Sequence, residues 1–343
     1  MRAAIVAARG EPVHRNVRFV DDWPEPRVGP GEAIIRTEAS ALNHLDLWVG
    51  RGLPGVEGYP RIGGSDACGI VESVGEGVDA MWVGRRVIMN AALPVSRPCR
   101  PDAVSTPPEL IVIGEHTNGG HCERFAVPVM QLADVGMMCE PVEAAAFGLT
   151  FLTAWRCLVS RAELAAGQTV LITGIGGGVA TAGLAIATHL GCRTIVTSRH
   201  QWKLDRAAEL GADAGVLDTG EDWSRTVRSL TGKRGVDIVL DSVGQAVHLS
   251  CIKSLARGGT LTTPGCTTGP APTTDLARIF WNQLRIVGST MGDMNEFAQI
   301  AALFRNGRLR PVVDQAFAAK DAALAYQRLE AGDQFGKVVL KWS

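Results

Sequence analysis

The stretch from residue 169 to 205 constrains the fold of this chain more than any other. A run of β-branched residues, 169–173, ends in a glycine-rich turn that begins at Gly174. Small apolar residues with helical spacing follow to Leu190, and a second strand-like run covers 193–197. A strand, a glycine turn, a helix and a strand in this order form a unit that binds a dinucleotide. The sequence therefore predicts an α/β fold with a nucleotide site at this turn.

The glycines of the turn have a physical purpose. A side chain there would keep backbone N–H groups away from a pyrophosphate, which the positive end of the helix stabilises. Small residues such as Ala180 and Gly183 let the helix pack close to the sheet. The alternative is a tight structural turn in an unrelated α/β protein. The residues predicted to bind the cofactor here are Gly174, Gly176, Gly177, Gly178, Val179 and Ala180.

The end of the second strand distinguishes between the two nicotinamide cofactors. An NAD site usually has Asp or Glu about 20 residues beyond the glycines. Here Ser198, Arg199 and His200 stand at that position, and Lys203 is close behind without an intervening carboxylate. Cationic and hydroxyl groups bind a 2′-phosphate, which favours NADPH. The alternative is that Arg199 and Lys203 are solvated residues at a helix start.

Length and composition limit the class of protein. A chain of 343 residues should form two domains. Its net charge of −1 gives no reason to expect nucleic acid or an anionic membrane as partner. No apolar run reaches the roughly 18 residues that span a bilayer. Eight scattered cysteines and an N-terminus without a signal-peptide pattern predict a cytoplasmic protein that binds a small-molecule substrate.

The pattern of elements changes along the chain. The part before residue 128 is β-rich, with alternating runs at 32–37 and 69–74, and a Pro-rich segment at 91–109 predicts a surface lobe. A helical pattern covers 143–158. Strands and helices then alternate, which indicates a parallel sheet covered by helices. After residue 291 we expect two helical stretches and a final strand at 336–340. The strands predicted within the alternating part are 169–173, 193–197, 236–241, 259–264 and 285–289.

Several motifs resemble those of the medium-chain dehydrogenase/reductase superfamily, in the order in which that family has them. They are ALNHLDLW (41–48), GSDACGIVESVGEGV (64–78), GEHTNGGHCERFAVP (114–128), FLTAW (151–155), the glycine turn, VLDSVG (239–244) and FGKVVL (335–340). The resemblance covers nearly the whole chain. It implies a GroES-like β-rich catalytic domain (1–128 and 292–343) and an inserted Rossmann domain (129–291), with a cleft between them for nicotinamide and substrate.

The resemblance also indicates whether this chain can bind zinc. Zinc-dependent members have a Cys, a His–Glu pair and a third ligand where this chain has Asn43, Ser65-Asp66 and Leu149. Zinc is bound by thiolate, imidazole or carboxylate, and Asp66 alone does not make a site. The structural-zinc lobe, 90–116, holds only Cys99. We therefore predict no metal, the alternative being an unusual set drawn from His44, Asp66, His116, His121 and Cys122.

Without a metal, reduction of a conjugated C=C bond is more natural than oxidation of an alcohol. Negative charge develops on the enone or quinone oxygen, and hydrogen-bond donors stabilise it. Asn43 has an amide NH₂ to donate, and His44 is either near the pyrophosphate or a proton donor. Asp46 is expected to orient its neighbours. Tyr59 either lines the cleft or is a turn residue, and Asn43 could instead cap a helix that begins near His44.

Further cofactor residues come from the resemblance alone. Ser242 and Gly244 match the ribose side of the cofactor, and Gly265 belongs to the loop beside nicotinamide. Lys337 matches a residue that closes over the cofactor, although an ordinary surface lysine is equally consistent with the sequence. Together these features predict an NADPH-dependent, zinc-independent reductase of quinones or activated alkenes. The alternatives are an alcohol dehydrogenase or carbonyl reductase with an unusual metal site, and a catalytically silent NADP-binding protein.

An oligomer is also expected. The resemblance places the strand 285–289 at the edge of the inserted domain, and its apolar neighbourhood includes Phe280 and Trp281. An uncovered sheet edge with such residues promotes association, which symmetric pairing limits to a closed assembly. We therefore expect a homodimer or homotetramer.

Overall fold

The computed structural model describes residues 1–56, 58–94 and 110–342. Most of the predicted surface lobe, with Cys99, lies outside these described residues. The chain divides into two compact units, Met1–Leu149 with Gly292–Ser343, and Thr150–Met291. We call them the GroES-like unit and the Rossmann unit.

The described residues form strands and helices over most of their length. The strands are β1 (Ala3–Val6), β2 (Val17–Val20), β3 (Glu32–Ala41), β4 (Arg61–Ile62), β5 (Ala67–Val74), β6 (Arg86–Met89), β7 (Ala92–Pro94), β8 (Leu110–Val112), β9 (Arg124–Pro128), β10 (Leu132–Asp134), β11 (Thr169–Ile172), β12 (Arg193–Ser198), β13 (Ala214–Leu217), β14 (Val236–Leu240), β15 (Leu255–Thr263), β16 (Arg285–Gly288), β17 (Val313–Ala318) and β18 (Lys337–Lys341). The helices are α1 (His44–Arg51), α2 (Pro141–Trp155), α3 (Gly178–His189), α4 (Gln201–Glu209), α5 (Ser224–Leu230), α6 (His248–Ser254), α7 (Leu276–Asn282), α8 (Met294–Arg305) and α9 (Ala322–Ala331).

The GroES-like unit is built around a seven-stranded sheet. Its strands follow the order β10-β6-β5-β3-β18-β17, and β9 also pairs with β3. The C-terminal β18 lies antiparallel to β3, so residues from both ends of the chain share this sheet. Buried apolar residues of α1, α9 and β18 form a core beside it, with Leu47, Tyr326 and Val338 among them. This arrangement brings the residues after β3 close to the start of β18.

The Rossmann unit contains a six-stranded parallel sheet in the order β13-β12-β11-β14-β15-β16. Residues 170–172 of β11 and 238–240 of β14 are buried, as expected for strands covered on both faces. Helix α3 packs closely on this sheet because Gly183 has no side chain, and a Cβ there would lie 2.5 Å from Leu240 Cδ2. The predicted fold class, a GroES-like β-rich domain with a Rossmann domain, is confirmed.

The structure differs from the sequence predictions in several details. Beyond residue 128, the strands β10, β13 and β17 were not predicted. The division between the units falls after Leu149 rather than after residue 128, because β10 pairs with β6 of the GroES-like sheet.

The helix predicted at 143–158 is longer than expected. Helix α2 continues as a π-helical segment, Arg156–Arg161. The whole helix, Pro141–Arg161, is long and apolar enough to span a membrane by length and composition, contrary to the sequence prediction. However, 78% of its apolar window is buried inside the protein, as in a core helix of a globular protein.

Candidate active site

The predicted cofactor residues of the Rossmann unit lie along one edge of its sheet. Gly174 follows β11, Ser198 ends β12, and Ser242 and Gly265 follow β14 and β15. These strands are parallel, so their carboxyl ends meet at the same edge. The chain order of the strands reverses at β11, which has β12 on one side and β14 on the other. Open α/β sheets bind ligands at this position.

The glycine turn has the geometry that a pyrophosphate site needs. Gly176 has a φ of +115°, a backbone conformation that residues with a side chain rarely adopt. Gly177 is the N-cap of α3, which begins at Gly178 and continues through Val179 and Ala180. The first N–H groups of a helix have no partner within it and are available to an anion.

The end of β12 carries the groups predicted to bind a 2′-phosphate. Ser198 is buried, and its Oγ accepts a hydrogen bond from the His200 N–H at 3.1 Å. The side chain of Arg199 is exposed at the surface. The alternative of a solvated lysine is wrong for Lys203, which is buried with its ammonium 5.3 Å from the Trp202 ring centroid.

The loops after β14 and β15 are joined by hydrogen bonds. The carbonyl oxygen of Ser242 accepts from the Thr267 N–H at 3.2 Å, and that of Val243 accepts from the Thr268 N–H at 2.9 Å. A Cβ at Gly244 would lie 2.8 Å from Cys266 Cα, so the two loops need glycine to approach this closely. The roles predicted for Ser242, Gly244 and Gly265 at ribose and nicotinamide stay predictions.

A second group of polar residues is buried in the GroES-like unit. The Lys337 ammonium donates to Asn43 Oδ1 at 2.5 Å and to Asp66 Oδ2 at 2.9 Å. Asn43 Nδ2 donates to the same Asp66 oxygen at 3.0 Å, and the Leu149 N–H donates to Asp66 Oδ1 at 2.6 Å. All three side chains are almost fully buried. We call Asn43, Asp66 and Lys337 the ammonium cluster.

The position of Lys337 follows from the turn before β18. Gly336 has a φ of +105°, and a Cβ there would lie 2.2 Å from the Val312 carbonyl oxygen. The turn therefore requires glycine. Lys337 is only 3% exposed, so the surface-lysine alternative is wrong. Its predicted role at the cofactor stays a prediction.

Asn43 is the N-cap of α1 and forms a capping box with Asp46. The Asp46 N–H bonds to the backbone oxygen of Asn43 at 3.0 Å, and the Asn43 N–H donates to Asp46 Oδ2 at 2.7 Å. The Asn43 amide also belongs to the ammonium cluster. The capping box supports the capping alternative, which coexists with these contacts of the amide.

Asp46 belongs to a separate buried network. Its carboxylate accepts from the N–H groups of Asn43 and Gly64, and His121 Nε2 lies 3.6 Å away. Burial alone would raise the pKa of Asp46, but His121 and these donors outweigh burial and lower it. His121 in turn contacts the Ser40 hydroxyl at 2.9 Å. This network orients backbone groups around α1, which agrees with the orienting role expected for Asp46.

The two remaining candidates are His44 and Tyr59. Burial, followed by the positive charges of Lys337 and Arg51, lowers the pKa of His44 to about 4. His44 is therefore neutral near pH 7 and does not act there as an imidazolium acid. The Tyr59 hydroxyl donates to the Val49 carbonyl oxygen at 2.5 Å, and the ring packs against the core beside α1. These contacts favour the turn-residue alternative for Tyr59.

The residues of the alternative metal set have other partners. His116 Nδ1 accepts a hydrogen bond from the Val112 N–H at 3.1 Å, and the Cys122 thiol contacts the carbonyl oxygens of Gly119 and Arg124. Burial raises the pKa of the Cys122 thiol far above its usual range, which opposes the thiolate form that a metal needs. Within the described residues, no three His, Cys, Asp or Glu side chains are grouped so that they could hold a metal ion.

Comparisons with known proteins agree with this architecture. Residues 29–136 match the model of the alcohol dehydrogenase GroES-like domain, and residues 178–306 match that of the zinc-binding dehydrogenase domain. The chain belongs to the medium-chain dehydrogenase/reductase superfamily, a family of nicotinamide-dependent oxidoreductases.

Individual relatives include both alcohol dehydrogenases and reductases of enoyl thioesters. A solved NAD-dependent alcohol dehydrogenase is 37% identical, with a TM-score of 0.93 and full coverage of both chains. The crotonyl-CoA reductase of Streptomyces collinus is 27% identical over 93% of this chain and 80% of its own. The 2-octenoyl-CoA carboxylase reductase CinF, solved with NADP and 2-octenoyl-CoA, is 25% identical. It has a TM-score of 0.90 over 99% of this chain and 87% of its own.

Although one matching domain model is named for zinc, the residues here do not fit that metal. The positions that supply ligands in zinc-dependent members hold an amide at Asn43, a hydroxyl at Ser65 and an aliphatic side chain at Leu149. The carboxylate at these positions, Asp66, already accepts three hydrogen bonds, and one of them comes from a cation. A divalent cation there would be repelled by the Lys337 ammonium.

Sequence reasoning missed the partnership of Asp66 and Lys337. A signal was present, because Asp66 lies in an apolar stretch and a buried carboxylate needs a countercharge. The sequence did not identify which of the 34 Lys and Arg residues supplies it.

Proposed function

We propose that this chain is an NADPH-dependent, zinc-independent reductase of C=C bonds conjugated to a carbonyl, as in enones, quinones or enoyl thioesters. The ammonium cluster is the observation that carries this proposal. It combines the Asn43 amide, which stands where zinc-dependent relatives have a metal ligand, with the Lys337 ammonium, and both groups are hydrogen-bond donors. Donors of this kind stabilise an oxyanion, but they lower the pKa of a bound alcohol far less than a metal dication does.

The proposed reaction balances with one cofactor and one proton. When bound at the glycine turn of the Rossmann unit, NADPH would supply the hydride that the β carbon of the substrate accepts, leaving NADP⁺. As the C=C bond is reduced, negative charge develops on the conjugated oxygen. Asn43 donates a hydrogen bond to that oxygen through the N–H that Asp66 does not engage. A proton from solvent then completes the saturated product.

A substrate panel tests this function. Purified protein should oxidise NADPH, followed by its absorbance, with at least one enone, quinone or enoyl thioester. Elemental analysis of the same active sample should find less than stoichiometric zinc. Activity that is restricted to simple alcohols and requires one tightly held zinc per chain would contradict the proposal. Such a result would favour the alcohol dehydrogenase alternative, which the NAD-dependent structural relative supports.

NADPH is predicted to bind more tightly than NADH. A charge-assisted hydrogen bond from Arg199 to the 2′-phosphate should contribute roughly 1.5–3 kcal/mol, or about 10- to 150-fold in affinity. Arg199→Ala should lose that factor for NADPH in a fluorescence titration and leave NADH binding nearly unchanged. Arg193→Ala is the matched control, since Arg193 is exposed at the opposite end of β12. Equal affinities of the wild type for the two cofactors would contradict this assignment.

We also propose that two chains pair through the edge of the Rossmann sheet. In the isolated chain, β16 is the terminal strand of this sheet, and the neighbouring Leu276, Phe280 and Trp281 are about 70% exposed. Light scattering at micromolar concentration should show at least twice the chain mass of 36.4 kDa. Trp281→Glu should shift the protein toward the monomer, whereas Met138→Glu, at a highly exposed site of the other unit, should not. A monomeric wild type would refute the pairing.

A further inference from the structure

We infer that Lys337 is a positioning residue. Its ammonium replaces the positive charge that the metal supplies in zinc-dependent relatives, fixes the orientation of the Asn43 amide and neutralises the charge of Asp66. This inference deepens the proposed function and rests on it for the link to turnover. The geometry of the amide, however, is measurable without any substrate. Asn43 and Lys337 are 294 residues apart in the chain. Their contact therefore depends on the pairing of β18 with β3.

The chemistry of the two partners determines which way the Asn43 amide points. An ammonium has only N–H donors, so the Asn43 atom that faces Lys337 must be the carbonyl oxygen. An ionised carboxylate only accepts, so the atom that faces Asp66 must be the amide nitrogen. Reversing the amide would place its NH₂ against the Lys337 ammonium and its oxygen against the Asp66 carboxylate. Both contacts would then be repulsive.

The fixed orientation leaves donors available at one place. The Asn43 NH₂ has two N–H bonds, and one of them goes to Asp66. Lys337 has three N–H bonds and uses two of them within the described part of the chain. Both nitrogens share the acceptor Asp66 Oδ2, so the two groups are held on the same side of that carboxylate. A prepositioned donor needs no reorganisation when charge develops, which is the requirement for oxyanion stabilisation.

The Lys337 ammonium also explains how the Asp66 carboxylate is stabilised in a buried site that holds a metal in zinc-dependent relatives. A buried carboxylate without a partner is strongly unfavourable, and pairing with a hydrogen-bonded cation offsets much of that cost. A purely structural pair would need only charge balance. A positioning role needs, in addition, the bond from Lys337 to Asn43 Oδ1.

A charge-neutral double variant separates these two roles. Lys337→Met alone leaves the buried Asp66 carboxylate without a countercharge, and the resulting loss of stability would obscure any effect on the Asn43 amide. Lys337→Met/Asp66→Asn removes both charges together and keeps the site uncharged. Lys341→Met is the matched control, because Lys341 is an exposed lysine on the same strand. Each protein is measured for thermal stability, for kcat and KM, and by NMR of the Asn43 side-chain amide, assigned from the signal lost in Asn43→Ala.

If Lys337 positions Asn43, the double variant remains folded but its Asn43 amide protons shift and exchange faster with solvent. Its kcat should fall about 10²-fold, as on loss of an oxyanion donor. In an Asn43→Ala background, the same double change should alter kcat less than about threefold, because residues that act as a unit are not additive. Lys341→Met should match the wild type in every measurement.

Unchanged amide signals in a folded double variant would overturn the inference, and so would wild-type turnover in that variant. A failure of the proposed function would give a different experimental result from a failure of this inference. The wild type would then reduce no conjugated substrate, while the NMR comparison would still decide whether Lys337 orients Asn43.

Discussion

Replacing Asn43 by alanine should lower kcat on the best conjugated substrate about 10²–10³-fold, the usual effect of removing one oxyanion donor. Affinity for NADPH should stay close to that of the wild type, because every Rossmann-unit residue assigned to the cofactor is left intact. Asn43→Ala also removes two buried hydrogen bonds to charged groups. A moderate loss of stability is therefore expected, and kcat must be measured per folded enzyme well below the melting temperature.

Asn43→Asp should be worse than the alanine variant. A carboxylate cannot donate a hydrogen bond when ionised, and it would repel the charge that develops on the substrate oxygen. It would also lie beside the Asp66 carboxylate in a buried site. Asn118→Ala is the control, since it removes an amide bonded to the Ile62 N–H in the same unit. Wild-type turnover by folded Asn43→Asp protein would remove Asn43 from the mechanism.

The Rossmann unit could be predicted from the sequence because the motifs that indicate it are local. The turn from Gly174 to Gly178 sits between a β-branched strand and a helix of small residues, and each element is recognisable from a few neighbouring residues. Four of the five strands predicted in this unit agree with β11, β12, β14 and β16 to within one residue at each end. The fifth begins four residues earlier, at Leu255. The strands that were missed beyond residue 128, β10, β13 and β17, contain Ala, Gly, Asp or Gln, which have weak strand propensity.

The ammonium cluster could not be predicted in the same way. Its members come from the end of β3, the start of β5 and the start of β18, and only the sheet pairing brings them together. A resemblance gave Lys337 a role at the cofactor, whereas the structure places its ammonium on Asn43 and Asp66. Sequence reasoning identified Asn43 as a donor but had no information about what holds its amide.

Asp46 lies in the family-like motif ALNHLDLW (41–48), and from the sequence it is expected to orient its neighbours. The structure gives its carboxylate three buried partners close to α1, and it is 2% exposed. A role in holding the N-terminus of α1 to the residues before β5 accounts for all of them. Removing it should therefore affect folding more than chemistry.

Asp46→Ala should destabilise the protein by about 2–6 kcal/mol, because the buried N–H groups of Asn43 and Gly64 each lose their acceptor at about 1–3 kcal/mol. Asp46→Asn keeps one acceptor oxygen and should cost less. Chemical denaturation at pH 7 measures both, and turnover of the folded fraction should stay within a few-fold of wild type. Asp79→Ala is the control, since Asp79 is exposed and accepts one backbone N–H, from Met81.

The stabilisation by Asp46 should also depend on pH in a defined direction. Its pKa in the folded protein lies below its ordinary value of 3.8, so the folded state favours the ionised form. The stabilisation is fully present above the unfolded pKa of about 3.9 and is lost as the pH falls through the lower folded pKa. The stability difference between wild type and Asp46→Asn should therefore be constant from pH 7 to about pH 5 and shrink below about pH 4. If this stability difference stays constant below pH 4, and if folded Asp46→Asn protein loses most of its turnover, Asp46 belongs among the reacting groups instead.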